Sequence, residues 1–262
     1  MKKYLSVFKE LVKINFSKTL IYKGHFYMET LNSLCWGALS VITILILTSN
    51  VSSVFGWTRN ELILLAVFVN IIYGILRILF DINFWVFSET VNTGLLDQVL
   101  LKPIDTQLQM SIWRIDFGGI MRLLIAIVLA IYLVFAFNFA VTPISIMNTI
   151  LLCILGVILL YSISFIFLTI TIWFSSLYNL MHLINTVLGV SRYPKEMYAN
   201  ISIGLFLFLL PVAIIIATPT KALIQKGNVF DSLLLMVLAF VSFSISRLFW
   251  KFALKFYTSA SG

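Results

Sequence analysis

Charged residues are scarce in this chain. Of its 262 residues only 11% are charged, compared with about 25% in soluble globular domains. Hydrophobic residues make up 61% of the chain, and a soluble fold of this size cannot bury that much apolar surface. The composition therefore excludes a soluble protein and indicates that a bilayer serves as the solvent.

Residues with metal-binding or catalytic chemistry are also few. The two cysteines, Cys35 and Cys153, lie inside apolar runs without a partner at metal or redox spacing, so we interpret them as buried small hydrophobes. The two histidines, His25 and His182, are far apart in the sequence, which argues against a metal site. No Ser/His/Asp set and no paired carboxylate occurs within an apolar run, so we expect no enzymatic activity in this chain.

Nucleotide-binding signatures are missing from the sequence. It contains neither a glycine-rich phosphate loop followed by Lys and Ser or Thr nor a GxGxxG motif. We therefore expect no cofactor in this chain, and any ATP chemistry must come from another chain. No acidic residue lies near the middle of an apolar run, which argues against a proton-coupled secondary carrier.

The net charge of the chain is +8. In a membrane protein this excess indicates topology rather than nucleic-acid binding. Basic clusters flank the apolar region on both sides, with Lys2, Lys3, Lys9, Lys13, Lys18 and Lys23 before it and Arg247, Lys251 and Lys255 after it. Both clusters predict cytoplasmic termini and an even number of spans. No compact apolar core or small-residue cleavage site follows the lysines, so we expect no cleavable signal peptide.

The apolar runs predict an all-α integral membrane protein with a single transmembrane domain over residues 1–262 and no soluble domain. Residues 1–22 carry an apolar and a basic stripe at helical spacing, which is typical of an interfacial amphipathic helix on the inner leaflet. Runs long enough to cross about 30 Å of hydrocarbon predict spans at 26–47, 62–80, 117–137, 146–174 and 229–250.

The fifth of six spans has two candidates. Residues 177–190 are apolar but short, whereas residues 201–217 are interrupted by Pro211 and closed by Pro219. If the first run crosses the membrane, the second is a re-entrant element that enters the outer leaflet and returns, with its turn at Pro211. If the second run crosses, the first lies on the inner surface. The basic residues around the two runs are balanced and do not decide between them.

The segment 88–105, between the second and third spans, is too polar to cross a bilayer and too apolar for a solvated linker. Its apolar residues fall at helical spacing, at Leu95, Leu96, Val99 and Leu100. Asp97 and Gln98 lie on the other side, and Lys102-Pro103 ends the run. This pattern predicts a short amphipathic helix at the membrane surface, with an apolar patch available to a partner.

Charged residues near the span ends form two groups. Arg77 and Asp81 are four residues apart on one helix face, which would allow an ion pair. Arg114, Asp116 and Arg122 cluster where the third span leaves the cytoplasm. A proton or substrate relay would use such charges. We interpret them instead as interfacial anchors with a local ion pair, because no acidic residue lies near the middle of a span.

Small residues lie on one face of the last span. Ala239, Ser242 and Ser246 recur at helical spacing. Such a face allows another helix to approach closely, so we predict that these residues pack against a neighbouring span.

Several short motifs follow one another over about 200 residues of the chain. They are Gly56-Trp57 with Glu61; Ser88-Glu89; Gly94-Leu95-Leu96-Asp97; Leu100-Leu101-Lys102-Pro103; Arg114 with Asp116 and Gly118; Ser191-Arg192-Tyr193-Pro194 with Tyr198; Pro211 and Pro219; and the terminal Tyr257-Thr258-Ser259-Ala260-Ser261. In this order the chain resembles the permease subunits of type 2 ABC exporters. More narrowly, it resembles a bacterial subfamily encoded with a second, different permease and a separate ATPase.

The resemblance implies that two elements dock on an ATPase, the N-terminal helix and a coupling helix within residues 89–105. The apolar patch of the coupling helix would lie in a groove of the nucleotide-binding subunit. The implied interface residues are Glu89, Gly94, Leu96, Asp97, Leu100, Lys102, Pro103 and Asp105. The resemblance also favours a re-entrant element at residues 201–217.

The resemblance further implies that the chain forms half of the translocation pathway of an ATP-driven exporter in the bacterial cell membrane, with both termini in the cytoplasm. The expected partners are two ABC ATPase subunits that bind ATP and Mg²⁺, a second, non-identical six-span permease, and membrane lipids, but no nucleic acid. Two alternatives are a membrane scaffold or sensor without transport and an ion-driven secondary carrier. Amphipathic drugs, peptides and lipids all fit the weakly polar pathway.

Overall fold

A computed structural model describes residues 2–50, 53–174, 180–198 and 203–258. Within these residues the secondary structure is helical except for one short β-hairpin. The elements are α1 (Lys2–Ile21), α2 (Lys23–Leu47), β1 (Ser53–Val54), β2 (Trp57–Thr58), α3 (Arg59–Leu76), a π-helical turn (Arg77–Asp81), α4 (Ile82–Trp85), α5 (Phe87–Asn92), α6 (Leu96–Leu100), α7 (Thr106–Ile112), α8 (Gly119–Ala136), α9 (Pro143–Thr169), α10 (Leu180–Leu188), α11 (Ile203–Leu223) and α12 (Val229–Ala253), with 3₁₀ turns at Ile170–Ile172, Gly189–Arg192 and Lys195–Tyr198.

Five helical runs among the described residues are long and apolar enough to cross a membrane: Lys23–Leu47, Arg59–Asn92, Gly119–Ala136, Pro143–Ile172 and Val229–Ala253. They coincide with the predicted spans and confirm an all-α membrane protein. The nine-residue α10 is about 14 Å long and too short to cross alone, so the count of six spans stays a prediction. The first residues of both candidate fifth spans, 177–179 and 201–202, lie outside the described residues, as do residues 259–261 of the terminal motif.

Local sequence fixes where two of the long helices begin. The side chain of Thr58 accepts a hydrogen bond from the Glu61 amide at 3.4 Å, and Glu61 Oε2 accepts one from the Thr58 amide at 2.9 Å, which forms a capping box for α3. Thr142 and Ser145 form the same reciprocal pair at the start of α9. Pro143 occupies the first turn of α9, where its missing N–H has no helical partner to lose.

The helices α3 and α9 form the centre of the bundle. Of their most apolar stretches, 67% and 61% of residues are buried within the chain, compared with 17% for α2 and 22% each for α8 and α12. α9 packs against α11 and α12, and α3 packs against α2, α8 and α11. The outer faces of α2, α8 and α12 therefore remain available to lipid or to another membrane protein.

One end of the bundle, the hairpin end, is closed by polar contacts around Trp57. The indole Nε1 of Trp57 donates to Glu196 Oε2 at 3.1 Å, and Lys221 Nζ lies 2.7 Å from Glu196 Oε1. Lys195 pairs with Asp231, which lies in the first turn of α12. Residues 195–196 and Lys221 therefore lie at the same end of the bundle. A re-entrant element at residues 201–217 stays a prediction, since residues 199–202 lie outside the described residues.

The predicted turn at Pro211 is wrong. α11 continues from Ile203 to Leu223 and contains both Pro211 and Pro219. A proline removes one helical hydrogen bond, but α11 is held by close packing on α9. Gly156 of α9 allows this approach, because a Cβ atom there would lie 3.0 Å from the carbonyl oxygen of Ile215.

Candidate functional site

The end of the bundle opposite the hairpin, the loop end, is built by residues 82–118. α3 continues through the π-helical turn into α4 and α5, and the chain then turns at Thr93 to Leu95 before α6. Gly94 has a φ of 75°, which is accessible to glycine at little cost. The Gly94 amide donates to the Val91 carbonyl at 3.3 Å. The single helix predicted over this segment is therefore two short helices, α5 and α6, because Gly94 breaks the helical path.

Leu96 is buried in the chain, although the sequence placed it in the patch offered to a partner. Its side chain is 0% exposed. Phe87 and Val91 of the preceding helix are buried in the same core cluster, and the ring of Phe87 packs edge-on against Phe165 and Trp250. Leu96 thus packs into the core of the chain rather than against another subunit, and its predicted role in a partner contact needs correction.

The apolar surface that this segment exposes does not include Leu96 but is formed by its neighbours in the sequence. Leu95 and Leu100 are partly exposed, and Leu101 is 85% exposed. Leu101 was not among the predicted contact residues. We call the surface formed by Leu95, Gln98, Leu100, Leu101 and Lys102, together with the exposed Pro103, the α6 face.

Three of the predicted charged contact residues differ in their surroundings. Glu89 is exposed on α5. The Lys102 ammonium lies 4.1 Å from the centre of the Trp113 ring, a favourable cation–π contact. Asp97 lies beside Tyr257, and burial together with this carboxylate raises the pKa of the Tyr257 hydroxyl. Lys102 and Asp97 are therefore already held by contacts within the chain.

Asp105 begins α7 and connects it to α12. Its Oδ1 accepts a hydrogen bond from the Leu108 amide at 2.9 Å, as an N-cap residue does. Its two carboxylate oxygens pair with the guanidinium of Arg247 at 2.7 and 2.6 Å. The hydrogen bond from Arg247 holds the pKa of Asp105 below its ordinary value. Asp105 therefore serves a contact within the chain, whereas the sequence assigned it to the partner interface.

Gln107 extends this connection into the core, and no sequence pattern identified it. It is 1% exposed, and its Nε2 donates to Ser246 Oγ at 2.8 Å and to the Tyr161 hydroxyl at 3.1 Å. Arg247 Nη1 donates to Gln107 Oε1 at 3.2 Å. We call the set Asp105, Gln107, Tyr161, Ser246 and Arg247 the α7 clamp. It binds the loop end to both α9 and α12.

The small residues predicted to mediate span packing lie on the inward side of α12. Ala239 and Ser246 are fully buried and Ser242 is half-buried, and α12 packs chiefly on α9. Besides packing, the Ser246 hydroxyl accepts the hydrogen bond from Gln107 Nε2.

An ion cluster joins α2, the π-helical turn and the segment before α8. Arg77 pairs with Glu29, and its Nε lies 3.1 Å from Asp116 Oδ2 without the alignment of a hydrogen bond. Asp116 Oδ1 also accepts the Gly118 amide at 2.8 Å. The predicted pair between Arg77 and Asp81 is not formed, because the guanidinium turns toward these two other carboxylates.

No group of three or more His, Cys, Asp or Glu side chains suited to a metal ion occurs among the described ranges. The chain matches a family model over residues 34–261, and the family is described as "ABC-2 family transporter protein". Comparison with curated proteins and with solved structures gave no significant match.

Proposed function

The chain belongs to the ABC-2 family of transporter proteins and is a permease component of an ABC transporter, and we propose that it forms half of the pathway of an ATP-driven exporter. In this proposal two ABC ATPase subunits bind ATP and Mg²⁺ and dock on the loop end. Closure of the ATPase dimer on ATP then tilts the helices as a rigid body, and cargo moves outward between two permeases.

The observation that supports coupling most directly is the combination of the α6 face with the α7 clamp. Leu101 is a large apolar side chain that is 85% exposed at the end of the bundle. The adjacent α7 is hydrogen-bonded through Gln107 to α9 and through Asp105 to α12. A force applied to the α6 face would therefore reach two spans through polar contacts that are already formed.

Docking of the α6 face would follow the helix-in-groove mode, in which apolar side chains enter a groove of the partner. Burying one leucine side chain is worth about 1.5–3 kcal/mol. Leu101 is the natural anchor for this contact, with Leu95 and Leu100 beside it. The charged residues at the rim contribute less, because exposed ion pairs are worth about 0.2–1 kcal/mol each.

The mostly uncovered faces of α2, α8 and α12 support a second membrane partner. In our proposal this is a non-identical six-span permease, and lipids cover the remaining surface. The hairpin end faces outside and both termini lie in the cytoplasm of a bacterial cell, with the lysine-rich α1 on the inner leaflet.

Leu101→Asp tests this function. We expect the variant to insert normally but to lose about tenfold or more of its affinity for the ATPase, since it replaces the apolar anchor with a charge. Capture of the ATPase from cell membranes on the tagged permease measures this. Val229→Asp is the matched control, because Val229 is 72% exposed at the hairpin end. Equal ATPase capture by both variants, or a functional complex without any ATPase, would contradict the proposal and favour the scaffold alternative.

A further inference from the structure

Arg122 lies far deeper in the bundle than the interfacial position expected from the sequence. Its Nε donates to Asn70 Oδ1 at 2.8 Å, and Asn70 is 4% exposed. Asn70 stands about eleven residues into α3, roughly 16 Å from the start of the helix. That is about half of the 30 Å hydrocarbon thickness. The contact between α3 and α8 therefore holds this guanidinium near the middle of the membrane.

A second cation lies close to Arg122. The guanidinium carbon of Arg192 is 5.2 Å from the centre of the Tyr73 ring, and Tyr73 stands one turn after Asn70 on α3. The Tyr73 hydroxyl donates to the Leu188 carbonyl at 2.8 Å and fixes the segment that carries Arg192. Arg192 and Arg122 therefore contact α3 one turn apart, at Tyr73 and at Asn70.

Among the described residues no carboxylate lies within 4.0 Å of Arg122 or Arg192, whereas Arg77 has two such partners. An unpaired charge at membrane depth is costly, and charges retained there face cavities and serve binding or transport.

A cleft of about 120 Å³ opens beside this pair, between α2, α3 and the segment around Arg192. Arg192 and Ser40 contribute polar walls, and Trp36, Leu39 and Ile44 contribute apolar ones. The Ser40 hydroxyl accepts a hydrogen bond from Asn70 Nδ2 at 2.8 Å, so Asn70 links the wall of the cleft to Arg122.

Glycine at position 37 allows α2 to approach this polar group. A Cβ atom at Gly37 would lie 2.8 Å from Asn70 Oδ1 and 3.4 Å from Arg122 Nε. The close approach of α2 therefore brings Ser40, in the wall of the cleft, to Asn70 and its partner Arg122.

We propose that this cleft binds the oxyanion group of an amphipathic molecule. A phosphate or carboxylate would pair with Arg192, which lines the cleft, since a guanidinium group matches both anions in geometry and charge. The apolar part of the ligand would lie along Trp36, Leu39 and Ile44 and continue into the bilayer. That this ligand is the transported cargo rests on the proposed function, whereas the binding itself does not.

The test is native mass spectrometry on the detergent-purified full chain with any subunits that co-purify. Phosphatidic acid and phosphatidylcholine with identical acyl chains serve as probes. We expect phosphatidic acid to bind at least about tenfold more tightly, and Arg192→Gln to weaken its binding by roughly tenfold to 100-fold. Arg192 is exposed, so this change leaves folding intact. Arg59→Gln, at an exposed arginine in the first turn of α3, is the matched control and should bind as the unaltered chain does.

Three results would overturn the proposal. Equal affinity for the two lipids would show that binding does not require an anion. Equal weakening of phosphatidic acid binding by Arg192→Gln and Arg59→Gln would show that the lipid does not bind at the cleft. Displacement of phosphatidic acid by millimolar inorganic phosphate would assign the cleft to a free oxyanion instead of an amphiphile. Equal ATPase capture by Leu101→Asp and Val229→Asp, with selective phosphatidic acid binding intact, would contradict the proposed function but leave this binding site supported.

Discussion

Gln107→Leu tests whether the α7 clamp carries motion from the loop end into the spans. The change removes the amide that bonds Ser246 and Tyr161 but keeps a side chain of similar length. Tyr161 retains its contact with Ser111 at 2.8 Å, so the acceptor left without this partner is Ser246. A buried polar group that loses its partner costs about 1–3 kcal/mol. We therefore expect docking of α7 on α9 and α12 to weaken by about five- to 150-fold.

The assay compares ATP hydrolysis with cargo movement in proteoliposomes that contain the assembled transporter. The α6 face is unchanged in Gln107→Leu, so ATPase binding and basal hydrolysis should remain. Transport per ATP should fall, because the force on α6 no longer reaches α12 through Ser246.

The double variant Gln107→Leu with Ser246→Ala separates stability from coupling. Replacing both members of a buried hydrogen bond by apolar groups is nearly neutral for stability, so the double variant should regain the thermal stability lost in the single one. Its coupling should stay low, since the buried bond between Gln107 and Ser246 is still missing, while the Asp105–Arg247 ion pair and the Ser111–Tyr161 contact remain. Full transport per ATP in the stable double variant would refute the assignment of the clamp as the connection.

Two further predictions concern pH and topology. The folded-state pKa of Asp105 is lowered by Arg247, so the pair stabilises the fold above the ordinary Asp pKa of about 3.9 and this contribution is lost as the pH falls through the lower, folded-state value. Because the side chains of Asp105 and Arg247 are about one-third exposed, we expect the pair to contribute no more than about 1 kcal/mol to the free energy of unfolding. Thermal unfolding should show this loss of stability below pH 4, and Asp105→Asn should abolish it. A loss of stability between pH 5 and 8 would contradict the prediction. The topology is tested with Lys195→Cys and Gln225→Cys in a background without the native cysteines. Both variants should react with an impermeant maleimide on intact cells, whereas Lys102→Cys should not. Labelling at position 225 alone would place residue 195 in the cytoplasm.

Hydropathy was sufficient to predict the spans, because the bilayer imposes a minimum length and a nearly continuous apolar composition. The predicted run 146–174 and the observed helix Pro143–Thr169 show this agreement. The prediction failed where the helix continues beyond the end of the apolar run. The second span was expected to end at residue 80, whereas its helical run continues to Asn92, since buried residues such as Phe84 and Phe87 pack on α9 there.

The candidate site was only partly predictable, because a sequence pattern does not show which surfaces the chain itself covers. A helical pattern over residues 95–101 shows that two faces exist, but it does not say which face the chain itself covers. The structure buries Leu96 in the core cluster and exposes Leu101. Gln107 and Arg122 carry no periodic signal at all. Their roles depend on which helices are neighbours, and the pairing of α3 with α8 cannot be inferred from either helix alone.

The helical run that borders the anion cleft ends just before the α6 face. Asn70 and Tyr73 border the cleft from α3, and the same run continues through the π-helical turn into α5, one turn before α6. π-helical turns often occur at functional sites in helices, and this one is fixed by the ion pairs of Arg77 with Glu29 and Asp116. A displacement of the α6 face would therefore move the Tyr73 side of the cleft directly through α3 and move α12 through the α7 clamp. Two separate connections from one docking surface would move Tyr73 relative to Arg192 and change the affinity of the cleft for an anionic ligand in step with ATP binding.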